Sequence, residues 1–166
     1  MKYIVCLFSM FFLWYSCVSN QTTNTVNDID PLTASFVTNK LCKNIVDSNK
    51  LILLINPSFC GSCTEKIRQF AQQIMQLPCA KCLVLSTPDS LLQQAVKNSP
   101  NTALQFTSAD TLARYNLLTP YSKLYFVKDS FIAYNKQLIE EELPFIWQEF
   151  TKTLLPAGCG EQKSSN

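Results

Sequence analysis

Histidine is absent from the 166-residue chain. That absence removes Cys–His and Ser–His catalysis, imidazole metal ligation and imidazole pH switching in one step. A basic stripe is missing too. Fourteen Lys and Arg face twelve Asp and Glu, for a net charge of +2, with no long run of one sign. A nucleic-acid-binding face needs clustered cations, so none is expected. No apolar run reaches the roughly 20 residues of a comfortable transmembrane helix. There is no internal repeat and no low-complexity block. The length fits one domain with short extensions. With 47% hydrophobic and 16% charged residues the chain has the material for a core. What is abundant is cysteine, eight in all, and any chemistry is expected to lie in sulfur.

Residues 1–16 read as a signal peptide. Lys2 precedes an apolar run from Tyr3 to about Tyr15, a short basic region followed by a hydrophobic one. The run ends at Ser16-Cys17, and a polar stretch follows at once. A small residue before a Cys at the end of such a segment resembles a bacterial lipoprotein signal, in which that Cys is lipidated and starts the mature protein. The alternative is a plain secretory signal with an incidental Cys17. Both place the mature chain outside the cytosol, where disulfides persist. The resemblance implies an anchor to a bacterial membrane, facing the periplasm or the cell surface. Residues 17–31, rich in Asn, Thr and Asp, read as a flexible tether, residues 32–156 as the folded domain, and residues 157–166 as a frayed tail.

Apolar spacing in the middle alternates between helical and extended periods. Leu32 to about Asp47 reads as a helix. Leu51-Ile52-Leu53-Leu54-Ile55 is a continuous apolar run before Asn56-Pro57, as in a strand buried on both faces. Thr64 to Leu77 has one apolar and one polar helical face. Cys82 to Ser86 reads as a second buried strand, and a helix opens at Pro88-Asp89. Ala103–Phe106 reads as a short edge strand, and Ser108 as the N-cap of a short helix. Ser122–Val127 and Phe131–Asn135 form a hairpin around Lys128-Asp129-Ser130. Glu140 to Leu155 is an amphipathic helix. The expected fold is α/β, a central mixed β-sheet with helices on both faces.

Cys60-Gly61-Ser62-Cys63 falls where the first buried strand gives way to a helix. The first helical turn carries unpaired N–H groups and the positive end of the macrodipole. Both stabilise a thiolate, which makes Cys60 the expected nucleophile. Two intervening residues bring the second sulfur within bonding reach, so Cys63 is placed to resolve a mixed disulfide.

On these residues the chain resembles the thioredoxin-like superfamily, over about residues 35–155. The CxxC after the first core strand is matched by Cys60 and Cys63. Thr119-Pro120, followed by the run from Tyr121 to Asp129, looks like the family's cis-proline and hairpin, which bind substrate backbone. The spacing between Cys60 and Pro120 is similar to that of membrane-anchored extracytoplasmic members. The resemblance implies a thioredoxin-like fold, catalytic Cys60 and Cys63, substrate-binding Thr119 and Pro120, and a cis Thr119–Pro120 bond. Partners would be protein thiol or disulfide clients and a redox donor. No cofactor is implied, because the dithiol carries two electrons. The sequence departs from the family in Phe59, in Gly61-Ser62 and in Leu54, which stands where the family buries an acid. A non-catalytic binding or scaffold lipoprotein with a structural disulfide is therefore a second reading.

Cys79-Ala80-Lys81-Cys82 is a second CxxC, fifteen residues after Cys63. The combined pattern has zinc-ribbon spacing, and four thiolates suit tetrahedral zinc. Against that third reading, a helix of about 14 residues between the pairs spans roughly 21 Å. No metal is expected, and Cys79 and Cys82 are read as a structural disulfide or buried thiols. Cys42 and Cys159 complete the mature set.

A mature protein lipidated at Cys17 is expected to partition into detergent and to incorporate labelled fatty acid. Cys17→Ala should abolish both, and a soluble wild-type protein beginning at another residue would refute the anchor.

Overall fold

A computed structural model describes residues 29–56 and 61–154, with backbone alone for residues 61–63, 153 and 154. The expected leader and tail, and the expected tether up to residue 28, lie outside the described residues; Asp30 and Pro31, read as tether, instead cap and open the first helix. In chain order the elements are α1 (Pro31–Asn39), β1 (Asn49–Ile55), α2 (Gly61–Met75), β2 (Ala80–Leu85), α3 (Ser90–Lys97), β3 (Thr102–Phe106), α4 (Ala109–Arg114), β4 (Ser122–Lys128), β5 (Phe131–Leu138) and α5 (Leu143–Glu149). A single 3-10 turn, Glu140–Glu142, precedes α5, and a π-helical segment, Phe150–Leu154, follows it. No helix among the described residues is long and apolar enough to cross a membrane.

The five strands form one mixed sheet in the order β3-β2-β1-β4-β5. β1 is parallel to β2 and antiparallel to β4. β3 is parallel to β2, and β5 is antiparallel to β4. The apolar run of β1 takes the centre because it needs cover on both faces. Leu51 to Leu54 are all buried, each at 2% exposure or less. Alternation sends Leu51 and Leu53 to a core with Phe70, Ile74, Leu92, Ile146 and Phe150, from α2, α3, α5 and the segment after it. Ile52 and Leu54 go to a second core with Phe36, Val37, Leu112 and Leu117, on the α1 and α4 side. Trp147 meets Phe70 edge-on at 6.1 Å between ring centroids, and Phe36 stacks on Tyr115 at 3.8 Å. Both pairs lock helices of the same layer together.

Local chemistry sets the boundaries. Asp30, Asp89 and Ser108 cap α1, α3 and α4, accepting from the backbone N–H of Thr33, Leu92 and Thr111. Pro31 occupies the first turn of α1, where its missing N–H costs nothing. The β4–β5 hairpin closes on Asp129 and Ser130, both at positive φ, the backbone that a tight two-residue hairpin requires. The first helix stops at Asn39, short of the Asp47 expected from its spacing. The chain leaves the helix through Cys42, at φ 59°, whose N–H donates to Oε1 of Gln105 at 2.6 Å.

Cys42 is bonded to Cys82 across the α1/β2 interface, with Cα atoms 5.9 Å apart. This corrects the expected Cys79–Cys82 pairing. The reason is parity. Cys79 and Cys82 are three residues apart along extended chain, so their side chains leave on opposite faces. Cys82 packs in the α1/α4 core and Cys79 in the α2 core. Cys79 is also disulfide-bonded, to neither Cys42 nor Cys82. The four-cysteine zinc reading fails on the same fact, since the Cys82 sulfur is taken and points away from Cys79.

Lys81 shares the α2 face of β2 and is only 2% exposed. Its ammonium donates to the carbonyl oxygens of Leu77 and of Cys79, the latter at 2.8 Å. It thereby serves carbonyls just beyond the end of α2, where a cation complements the helix dipole. Burial lowers its pKa from 10.5.

Two outcomes are expected. Non-reducing peptide mapping should recover Cys42 linked to Cys82. Because the link closes a loop of 40 residues, replacing both cysteines by Ala should lower unfolding free energy by about 4 kcal/mol. For Lys81, the cost of burying the charge is fully present while both states hold the proton. It is relieved as pH rises from the lowered folded pKa towards the unfolded value. The urea midpoint of wild type should therefore gain on that of Lys81→Met between neutral pH and pH 10.5.

Candidate functional site

α2 begins at Gly61, three residues earlier than its apolar stripe implied, so Cys63 lies within its first turn. Cys60 and the side chain of Cys63 lie outside the described residues. What surrounds them is defined. α2 starts beyond the carboxyl end of β1, beside the carboxyl end of the parallel strand β2. In open α/β sheets this rim gathers functional residues. The first-turn N–H groups and the positive end of the helix dipole lie at this rim.

The Leu117–Ser122 turn closes the same end of the sheet, because β4 runs antiparallel to β1 and enters beside its last residues. The two are joined by Asn56, which directly follows β1 and is 3% exposed. Its Nδ2 donates to the carbonyl oxygens of Leu117 and of Tyr121, each at 3.0 Å, and lies 3.5 Å from Oγ1 of Thr119. Its backbone N–H donates to Oγ of Ser122 at 3.3 Å. Oγ1 of Thr119 in turn donates to the Tyr121 carbonyl at 2.8 Å. Two carbonyl acceptors fix the orientation of the amide, which leaves its Oδ1 buried and without a hydrogen-bond partner among the described residues.

Thr119 and Pro120 thus sit on a turn tied to the strand that leads into Cys60, and Pro120 is exposed. The bond between them is trans, since the described residues contain no cis peptide. This corrects the expected cis-proline. The turn is held by Asn56 and by the Thr119 hydroxyl, and a trans bond suffices to enter β4 from it. Leu118 and Tyr121, at 40% and 43% exposure, leave an apolar rim on either side.

The acid position also changes meaning. Leu54 faces the α1/α4 core, away from α2. The α2 side of β1 carries Leu51, Leu53 and Ile55, all apolar. Neither face of β1 supplies a carboxylate. On α2 and its neighbours, Glu65 pairs with Arg68, Arg68 reaches Asp89 at 3.1 Å, and Glu140 pairs with Lys66. These pairs tie α2 to α3 and to the turn before α5. Lys123, three residues after Pro120 and opposite Leu54, is half-buried, and desolvation lowers its pKa from 10.5.

A cavity of about 280 Å³ opens elsewhere, beside the Cys42–Cys82 disulfide, lined by Lys40, Lys43, Asn44 and Gln105 among others. It contains none of the residues expected at the site. The residue that sequence reasoning passed over is Asn56. Its signal was a polar side chain ending an otherwise apolar strand, just before Pro57.

No protein-family model, curated protein or solved structure matches this chain.

Proposed function

We propose that the protein is an extracytoplasmic thiol–disulfide oxidoreductase, lipid-anchored through Cys17, with Cys60 and Cys63 as its redox pair. One observation supports the reading: α2 begins at Gly61, so Cys63 falls in its first turn, and Asn56, the residue that ends the central strand before the CxxC, is hydrogen-bonded to the turn that carries the exposed Pro120. The sheet order, with β1 and β2 parallel and the β4–β5 hairpin antiparallel, is compatible with a thioredoxin-like fold.

The disulfides support the assignment by what they leave over. Cys42 and Cys82 are bonded to each other. Cys79 follows the far end of α2, and twelve helical steps from Cys63 to Met75 span about 18 Å. A disulfide needs Cα atoms within about 7 Å. β2 begins opposite Lys50, at the amino end of β1, so Cys79 and the start of α2 lie at opposite ends of the sheet, which supports reading Cys60 and Cys63 as a pair of their own.

In the reducing direction, the Cys60 thiolate attacks one sulfur of a client disulfide. The client S–S bond breaks, and the departing sulfur leaves as a thiolate that takes a proton from water. Cys63, deprotonated, then attacks the Cys60 sulfur and releases the second client thiol. Two electrons pass from the dithiol to the client, and a dithiol donor restores the pair. The first-turn N–H groups of α2 stabilise the attacking thiolate. Thr119 and Pro120 present backbone to an extended client segment, and the Leu118 and Tyr121 rim suits a polypeptide client. No cofactor is required.

The apolar α2 side of β1 favours a second reading, a scaffold lipoprotein of the same fold with a fixed Cys60–Cys63 disulfide. Removing the Cys63 proton without a nearby base falls to water, which slows resolution.

The two readings part on reactivity. Under limiting alkylation of reduced protein near neutral pH, Cys60 should react well before Cys63. Insulin-disulfide reduction should fall to background in Cys60→Ser, and Cys63→Ser should accumulate mixed disulfides with clients. If the pair resists reduction until the protein unfolds, the scaffold reading stands.

A further inference from the structure

We infer that Asn56 is the positioning residue of this site: it holds the Thr119–Pro120 turn against the end of β1, the strand that leads into the CxxC, and so sets client binding. The inference rests on the oxidoreductase reading. Asn56 stands four residues before Cys60, a reach of at most about 14 Å of extended chain. It touches the turn on both sides of Pro120, through the carbonyls of Leu117 and Tyr121 and the Ser122 hydroxyl. No other described side chain on β1 is hydrogen-bonded to this turn; Ile55 and the residues before it are apolar back to Leu51.

The pattern of satisfied and unsatisfied atoms gives the role away. An Asn buried for stability would pair both ends of its amide. Here both N–H groups are used on one short turn, while Oδ1 is buried with no partner among the described residues. A lone buried acceptor is costly, and an apolar residue of similar size would avoid it. What such a residue cannot do is bind two carbonyls of the turn at once. With those carbonyls drawn inward, Pro120 stays on the outside of the turn, where a client strand would run. Loss of the amide frees the turn relative to β1 without touching the thiols, so it should weaken recognition of a polypeptide and spare the chemistry of Cys60.

The test uses the full mature chain, with insulin and a small aromatic disulfide as substrates. Asn56→Ala should raise KM for insulin about tenfold, the loss of roughly one net hydrogen bond or two, with kcat within about twofold. Turnover of the small disulfide and the alkylation rate of Cys60 should stay near wild type. Asn56→Asp is the second variant. Its carboxylate donates nothing and faces two carbonyls, whereas the protonated acid regains one donor. Its insulin KM, relative to wild type at each pH, should exceed that of Asn56→Ala near neutrality and recover as pH falls. Circular dichroism and thermal unfolding establish that each variant is folded during assay. Should Asn56→Ala fail to fold, the acid recovery of Asn56→Asp decides alone. Unchanged insulin KM in folded variants, equal loss on both substrates, or no acid recovery overturns the role of Asn56 and leaves the oxidoreductase reading in place. A wild-type protein that turns over neither disulfide overturns both.

Discussion

The structure depends on the burial of β1 on both faces and its pairing along both edges. Four consecutive apolar side chains, Leu51 to Leu54, are almost completely removed from water, contributing roughly 1.5–3 kcal/mol each. Such a strand has to be central, and once it is central the rest follows. Two helical layers are required to cover it, a parallel crossover through α2 supplies one edge, and the returning hairpin supplies the other. The strand ends where the apolar run ends. Asn56 is the first side chain in that direction with polar atoms, and it is still buried. The rim of the sheet is therefore the place where the interior first meets backbone in need of partners, and the Leu117–Ser122 turn meets that need.

Much of this was legible from periodicity because periodicity reports burial. The run 51–55, the stripe of α2, the caps Asp89 and Ser108, and the hairpin at Asp129-Ser130 are local signals, and the structure has each element. The differences arise where a long-range contact overrides a local pattern. The first helix ends early because Cys42 turns away to reach Cys82. β1 begins at Asn49, two residues before the apolar run, because Lys50 pairs in register with Ala80 and Val127; only 7% of it is exposed, and burial lowers its pKa. The final helix loosens into π-type bonding from Phe150 onward, where that ring is fully buried.

Cysteine pairing was the least legible feature. Spacing suggested Cys79 with Cys82, since two intervening residues suit a pair at a helix start. The same spacing has the opposite consequence at the start of a strand, where an odd offset splits the side chains between faces. Deciding between them requires knowing that β2 begins at Ala80, which only the register with β1 fixes. The Thr119–Pro120 bond is a similar case. Sequence places the proline before a hairpin, but the isomer is decided by how the turn is tied down, and Asn56 does the tying from more than sixty residues away.

The sheet also insulates one kind of sulfur from another. The Cys42–Cys82 bond lies in the α1/α4 core with both residues 2% exposed or less, on the face of the sheet opposite α2. Cys79 sits on the other face beyond the far end of α2, a helix length from Cys63. Thiol–disulfide exchange requires contact between three sulfurs in line, and the described backbone at the start of α2 is on the other face from Cys82 and at the other end of the helix from Cys79. A redox-active dithiol in a cysteine-rich chain would otherwise scramble its own cross-links at each turnover. Structural disulfides persist in oxidising compartments, the setting that the proposed anchor at Cys17 would provide. The parity that defeats a Cys79–Cys82 bond puts Cys82 and Cys79 on opposite faces of the sheet, each away from the start of α2, as the proposed exchange at Cys60 and Cys63 would require.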